Sequence, residues 1–364
     1  MTYLIKPKGF SENIDFKLPI NYKQEWSHLF KPDNAYKKVK LGVRLLKNVF
    51  VNHYGLVIKN GVLVKGCAPN IGHTKYEDNN FYYKHWKKAT EQWLVAKFGN
   101  SIASKRLNDH KTYLVIHSPW FSYYFWITEC IPRLLMVKEH LHELTLIYPE
   151  NWKNFSFVNE TLDLFPELER EVIPSDVHLF VKNLVMPEVK PWTPMFIPEI
   201  VYETRVFLLD ILKKKGITYG ATDRIYISRE NANRKKFVDE KKVVNLLKDY
   251  NFSSVCMEKL SFFEQIALMS ETKILTAMTG AGMINTIFMK SNGALHDLTN
   301  IDYLTKSQYK FHFYQLCNIL GVKYAVTFFE HENDPLIQHY SLQDLIMNSI
   351  SMKKDIEKLI DNVK

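Results

Sequence analysis

The segment from Arg224 to Asp297 constrains the fold more than any other part of this 364-residue chain. Arg224-Ile-Tyr-Ile-Ser-Arg229 reads as a strand opening into a basic turn that ends at Arg234. Ser261-Phe-Phe-Glu264-Gln265 follows, with Ser261 and Glu264 spaced as an S-x-x-E capping box that fixes where a helix starts. Lys273-Ile-Leu-Thr-Ala-Met278 is then an apolar run of strand length, and residues 281–289 carry Met283, Ile284, Ile287 and Phe288 at helical spacing. Strands alternating with helices in this way indicate an α/β fold, a parallel sheet covered by helices.

The two turns carry the candidate chemistry. Gly280 and Gly282 stand between the second strand and its helix. Glycine admits positive φ and lets a ligand approach the backbone, and the free N–H groups of a helix start favour an anion. A phosphate suits such a turn, although a strand-to-helix turn can also need glycine for geometry alone. In the first turn, Arg229 and Arg234 are always charged and can fork onto phosphate oxygens, with Lys235 and Lys236 beside them, which suits a diphosphate. A solvated basic loop is the other reading of that run. Gly280-Ala-Gly282-Met-Ile-Asn285 begins like the dinucleotide fingerprint G-x-G-x-x-G, but it ends in Asn285 and follows the third strand of its half. A nicotinamide-dependent oxidoreductase is therefore the weaker alternative.

Elsewhere, Asn60-Gly61 between two apolar runs marks a hairpin. Strands are expected at 113–117, 145–148 and 179–185, with a helix over 126–140. Pro187, Pro191, Pro194 and Pro198 punctuate the connection to a helical stretch at 199–215. Strands at 294–298 and 323–328 then enclose a helix at 309–320. A chain of this length exceeds what one core usually supports. The expected domains are 1–197 with the hairpin extension and 198–340, with an amphipathic stretch at 341–364 folding back on the first domain.

Lys and Arg number 48 against 39 Asp and Glu, a net charge of +9, which favours anionic partners such as nucleotide diphosphates, polyprenyl phosphates or acidic lipid surfaces. No zinc-finger spacing, helix-turn-helix cue or RNP-like aromatic motif accompanies the charge, so nucleic acid is not an expected partner. Cys67, Cys130, Cys256 and Cys317 are scattered singly, which argues against a zinc site or a disulfide framework. The first residues offer no apolar leader and no run reaches membrane-spanning length, so a cytoplasmic location is expected, with peripheral contact at an anionic membrane.

Ile227-Ser-Arg229 with Arg234, Phe263-Glu264-Gln265 and Thr279-Gly-Ala-Gly-Met-Ile-Asn285 together resemble glycosyltransferase family 61. That family reads as an arginine-flanked Ile-Ser-Arg segment, a Phe-x-Glu-Gln helix and a His-Gly-Ala-Gly-Leu-x-Asn turn. Upstream, Ser122-Tyr-Tyr-Phe-Trp126-Ile-Thr-Glu129-Cys-Ile-Pro132-Arg133-Leu-Leu is similar to the family's Asn-Tyr-Tyr-His-Trp-x-x-Glu-x-x-Pro-Arg-Leu segment. The resemblance spans roughly residues 110–330. Histidines of the family pattern are replaced here by Phe125 and Thr279.

The resemblance implies two Rossmann-like domains facing a cleft, the GT-B architecture, with the nucleotide-sugar donor in the C-terminal half and a glycan or lipid-linked glycan acceptor in the N-terminal half. Arg229, Arg234, Glu264, Gln265, Thr279, Gly280, Ala281, Gly282 and Asn285 are then the expected donor-binding residues. Tyr124, Trp126 and Arg133 are expected at the acceptor, with the Trp126 ring packing on a sugar. Positive side chains and a helix N-terminus would replace a metal, no Asp-x-Asp triplet occurs, and no cofactor is expected. Lacking an anchor, the chain resembles the bacterial members linked with capsule or lipopolysaccharide synthesis. Inverting transfer needs one base, and Glu129 is the first candidate, although an i,i+4 pair with Arg133 would also explain it. Asp297 and Glu258 are further candidates, and His117 stands either as a replacement for the missing histidine or as a packing residue. A non-catalytic glycan- or nucleotide-binding relative is the other alternative.

Overall fold

A computed structural model describes residues 2–10, 14, 16–30, 39–68, 79–99, 103–190, 196–220, 222–306, 312–332, 334 and 342–363. Pro191 and Pro194 of the proline-rich connection lie outside the described residues. The chain divides into two compact units, one of Met1–Ser11 with Tyr36–Ile200 and one of Glu12–Ala35 with Val201–Lys364.

The first unit is built on a nine-stranded mixed sheet. Its strands are β1 (Thr2–Phe10), β2 (Val39–Val51), β3 (Val57–Lys59), β4 (Val62–Leu63), β5 (Ser104–Arg106), β6 (Tyr113–Leu114), β7 (Thr145–Pro149), β8 (Glu169–Ile173) and β9 (His178–Pro187). The helices are α1 (Asn79–Phe98), α2 (residues 123–135) and α3 (Ser156–Leu162). β9, β6, β7 and β8 lie side by side and parallel, the arrangement expected from the alternating pattern. The long β2 pairs antiparallel with β9, β1 and β3, so the doubly wound half carries an antiparallel extension. The hairpin at Asn60-Gly61 forms with both residues at positive φ, as a two-residue primed turn requires.

The second unit holds a fully parallel five-stranded sheet. Its elements are α4 (Pro198–Lys215), β10 (Arg224–Ile227), α5 (Glu240–Lys248), β11 (Ser253–Val255), α6 (Phe262–Glu271), β12 (Ile274–Met278), β13 (Ala294–Thr299), α7 (Ile301–Lys306), α8 (His312–Leu320), β14 (Lys323–Phe328) and α9 (Ser349–Asn362). The strand order is β11-β10-β12-β13-β14. Counted within the unit this is 2-1-3-4-5, a doubly wound order whose switch point falls between β10 and β12. The capping box of α6 forms as the sequence indicates, with Ser261 and Glu264 each bonded to the other's backbone N–H.

Two packing results depart from the sequence reading. α9 contributes Met352, Ile356 and Leu359 to the core of the second unit rather than returning to the first. Residues from the N-terminal segment also belong to the second unit. Ile20 N–H donates to the Tyr324 carbonyl, and the Asn21 side chain bonds both N–H and C=O of Val326, covering the edge of β14. Trp26, Leu29 and Phe30 are buried there, with Trp26 edge-on to Phe328.

Candidate functional site

Several of the residues singled out in the sequence gather at two places, each at the switch point of the parallel strands of its unit's sheet. In the second unit, the chain leaves β10 through Ser228 and enters a loop laced by its own hydrogen bonds. Arg229 N–H donates to Glu240 Oε1 at 2.7 Å, and Arg229 Nε donates to the Lys235 carbonyl. Tyr226 donates its hydroxyl to the same Glu240 oxygen. This lacing holds Lys235 at φ +58°, a left-handed conformation unusual for a lysine. Such strain persists only where surrounding bonds over-determine it, and it clusters at functional sites.

Across the switch point stands Gly280, after β12. A methyl group there would come within 3.2 Å of Arg229 Nη1. The backbone of Gly280 is extended, with φ 179°, so this glycine answers to the proximity of the guanidinium and not to a positive φ. Ala281–Phe288 continues as a 3-10 helix whose first residues, Ala281 and Gly282, remain half-exposed. Lys235 Nζ lies 5.1 Å from the centre of the Tyr303 ring. Burial, reinforced by the Arg229 charge, lowers its ammonium to a pKa of about 8, against the opposing pull of Asp297.

Asp297, buried on β13, accepts hydrogen bonds from Thr279 Oγ1 and Tyr324 OH, one on each oxygen. Burial raises its carboxyl to about 6 although both hydroxyls pull the other way. Asp297 acts on the Lys235 charge, and Glu240, Glu258 and Asp344 act on that of Arg229. Thr279, at the family's histidine position, serves to orient the Asp297 carboxylate.

The other expected donor residues fall outside this cluster. Arg234 is exposed and makes no hydrogen bond or ion pair among the described residues. Lys235 takes the place beside Arg229 that the sequence reading gave to Arg234. Glu264 caps α6. Gln265 and Asn285 are buried and face each other, with Asn285 Nδ2 3.4 Å from Gln265 Oε1, so they tie α6 to the 3-10 helix. Glu258 is exposed and accepts from Asn231. Beyond the ends of β10 and β11 opens a groove of about 840 Å³, lined by Ser228, Glu230, Asn245, Ser254, Cys256 and Lys259 among others.

In the first unit the order β9-β6-β7-β8 places a switch point between β6 and β9. Ser118 follows β6, Lys190 follows β9, and Glu129 reaches in from α2. All three are buried. Ser118 Oγ donates to Glu129 Oε2 at 3.1 Å, while Glu129 Oε1 makes no hydrogen bond among the described residues. Burial raises the Glu129 carboxyl above its ordinary range despite the nearby Lys190 and Arg133 charges. Burial likewise lowers the Lys190 ammonium to about 8, opposed by Glu129. The loop carrying Lys190 is pinned by Glu188, whose carboxylate binds Arg44 and the Gly42 N–H in the interior.

α2 is not a uniform helix. Residues Trp126–Cys130 form a π turn, closed by Ile131 N–H donating to the Trp126 carbonyl. Pro132 explains it: the proline lacks the N–H that would reach Thr128, and its ring crowds that carbonyl, so a widened turn relieves the clash. Glu129 sits on this turn. The i,i+4 ion pair with Arg133, the alternative reading of Glu129, does not form among the described residues. Arg133 Nε donates to the Pro187 carbonyl and Arg133 Nη1 to that of His117, joining the ends of β9 and β6. Trp126 is wholly buried, donates Nε1–H to Thr161 and packs on Trp152, so it is a core residue and not a sugar platform. Phe125, at the other family histidine position, is half-exposed and stacks on Trp120. Tyr124 is buried with its ring 5.5 Å from Lys190 Nζ. His117 is buried edge-on to Trp152, and burial lowers its pKa to about 3, which keeps the ring neutral.

Among the described residues, no group of three or more His, Cys, Asp or Glu is placed to hold a metal. No helix among them is long and apolar enough to cross a membrane.

Parallel strands ending in loop cations at a switch point are the arrangement on which doubly wound proteins bind phosphate-bearing ligands. Within that class the match is specific. Residues 123–295, from the start of α2 into β13, match the family model described as Glycosyltransferase 61, so this segment is similar to the glycosyltransferases of that family. A comparison with curated proteins gives no match.

Proposed function

We propose that the protein is an inverting, metal-independent glycosyltransferase that moves a sugar from a nucleotide-diphosphate donor to a glycan or lipid-linked glycan, in bacterial capsule or lipopolysaccharide synthesis. The observation that carries the proposal is the pair of cations, Arg229 and Lys235, beside Gly280 at the β10/β12 switch point. The division of labour is GT-B-like, with the donor in the second unit and the acceptor in the first. The diphosphate lies against Arg229, Lys235 and the N–H groups that follow Gly280, and the groove beyond β10 and β11 has room for the nucleoside.

Glu129 takes the proton of the acceptor hydroxyl. That oxygen attacks the anomeric carbon from the face opposite the diphosphate, the bond from anomeric carbon to phosphate oxygen breaks, and the diphosphate leaves with its new charge against the two cations. The free Oε1 of Glu129 is a buried acceptor awaiting a donor, and a substrate hydroxyl supplies one. A buried carboxyl of raised pKa is also a stronger base once ionised.

Calorimetry tests the donor site. A nucleoside diphosphate should bind in the presence of EDTA, and Arg229→Ala should weaken it by about 1.5–3 kcal/mol, the loss of a charged hydrogen bond. Unchanged affinity in that variant, or binding that requires a metal, contradicts the site as drawn. Mass spectrometry against a panel of nucleotide sugars identifies the donor, and NMR of the new linkage must show an inverted anomeric centre.

A further inference from the structure

We infer that α1 and the β3–β4 hairpin form a docking surface for an anionic lipid membrane. One face of α1 is already used by the fold, because Ala89 is buried and Trp86, Trp93 and Ala96 pack against the core of the first unit. The opposite face presents Lys87, Glu91, Leu94 and Phe98 in an outward row at helical spacing, all exposed, with Lys88 and Lys97 on its flanks. Leu94 is 44% exposed and Phe98 76%. The hairpin lies against the same helix. Thr90 Oγ1 donates to the Gly61 carbonyl at 3.3 Å, and a methyl on Gly61 would sit 3.2 Å from the Trp93 ring. Its next residue, Val62, is 59% exposed, and Lys59 and Lys65 are exposed beside it.

Single exposed apolar residues are ordinary on any surface. Here three of them lie on a helix and a hairpin that touch each other, with Lys59, Lys65, Lys87, Lys88 and Lys97 against Glu91 among the described residues of the two elements. Lys97 Nζ lies 5.1 Å from the ring centres of both Trp93 and Phe98, so its aliphatic stem runs along the apolar surface while its charge stays at the edge. Exposed apolar side chains bordered by lysines suit the headgroup region of an anionic bilayer. Phe98 and Leu94 enter the acyl boundary, and the lysines, scattered over both elements, meet lipid phosphates that can move to them. A rigid protein partner would need matching carboxylates at fixed positions, which this spread of lysines does not favour.

Sedimentation of the full chain with vesicles of phosphatidylcholine alone, and of phosphatidylcholine mixed with phosphatidylglycerol, provides the test. The protein should pellet with the mixed vesicles only, and high salt should release it. Leu94→Asp with Phe98→Asp, and separately Lys87→Glu with Lys88→Glu, should each lower the partition coefficient at least about tenfold. These positions are exposed, so circular dichroism and nucleotide binding should stay as in the wild type, which separates a failed membrane surface from a misfolded chain. Absence of binding to the mixed vesicles, equal binding to neutral vesicles, or binding that neither double variant reduces overturns the inference. A wild-type dimer that the Leu94 and Phe98 changes dissociate would assign this surface to a second copy of the chain and overturn it as well.

Discussion

Glu129 and Lys235 are two residues whose surroundings alter their chemistry. Glu129→Gln keeps the shape and the Ser118 hydrogen bond but cannot take a proton. Turnover should fall by two to four orders of magnitude, the usual contribution of a positioned base, while donor affinity stays unchanged. Turnover near the wild-type rate in that variant would move the base elsewhere. Lys235 binds an anion only as the ammonium. Its pKa is lowered to about 8, so donor affinity should be full below that pH and fall as pH rises through it. Lys235→Arg stays charged throughout, so its affinity should be flat between pH 7 and about 10. Parallel pH profiles in the two proteins, read by calorimetry, would remove Lys235 from the site. Lys235 could be seen in the sequence only as one member of a basic run. Its selection over Arg234 depends on a left-handed backbone held by the Arg229 side chain, a bond formed only after folding.

At the scale of elements, the π turn in α2 is a device for aiming. Pro132→Ala restores an N–H that can bond the Thr128 carbonyl, which lets the helix close into regular α-turns. The variant should melt at or above the wild-type temperature yet turn over at least about tenfold more slowly, because Glu129 rotates away from Ser118 and Lys190. A variant as active as the parent would show that the turn is only a relief of strain. What was legible at this scale was local. Asn60-Gly61, the Ser261 capping box and the apolar runs of β10, β12 and β14 each carry their signal within a few residues, and each forms where expected. The regular helix expected over 126–140 missed the π turn, because an extra residue in one turn leaves the apolar spacing almost intact. Gln265 and Asn285 read as ligand contacts and pack against each other, a pairing across 20 residues that no spacing announces. Lys190 is a comparable case, a cation beside a run of prolines that only the β6/β9 junction brings to Glu129.

At the scale of the molecule, the N-terminal segment is part of the second unit's stability. Trp26→Ala removes a buried ring and should cost about 3–5 kcal/mol. The loss should appear in the unfolding of the second unit, followed by the near-UV signal of bound nucleotide, more than in that of the first. A fragment of residues 201–364 should be less stable than the same fragment with residues 12–35 joined to it, and equal denaturation midpoints would show that the segment only rests on the surface. The sequence reading set its domain boundary at 197/198, where the prolines mark one, and set apart only the amphipathic stretch at 341–364. The unit boundaries near residues 11 and 35 carry no such mark, since what fixes them is hydrogen bonding to residues about 300 positions away.

That attachment has a consequence for the order of events at the ribosome. Asn21 emerges early, yet its partner Val326 lies 305 residues downstream. At roughly 10 residues per second the strand it must cover is made about half a minute later. Throughout that interval Trp26, Leu29 and Phe30 have no native surface to join, although the first unit, complete by residue 200, can already close. β14 and the side chains of Trp26, Leu29 and Phe30 can therefore find each other only once β14 has been made. A nascent chain stalled before β14 would present those three side chains to chaperones, and release of that interaction should follow the emergence of β14.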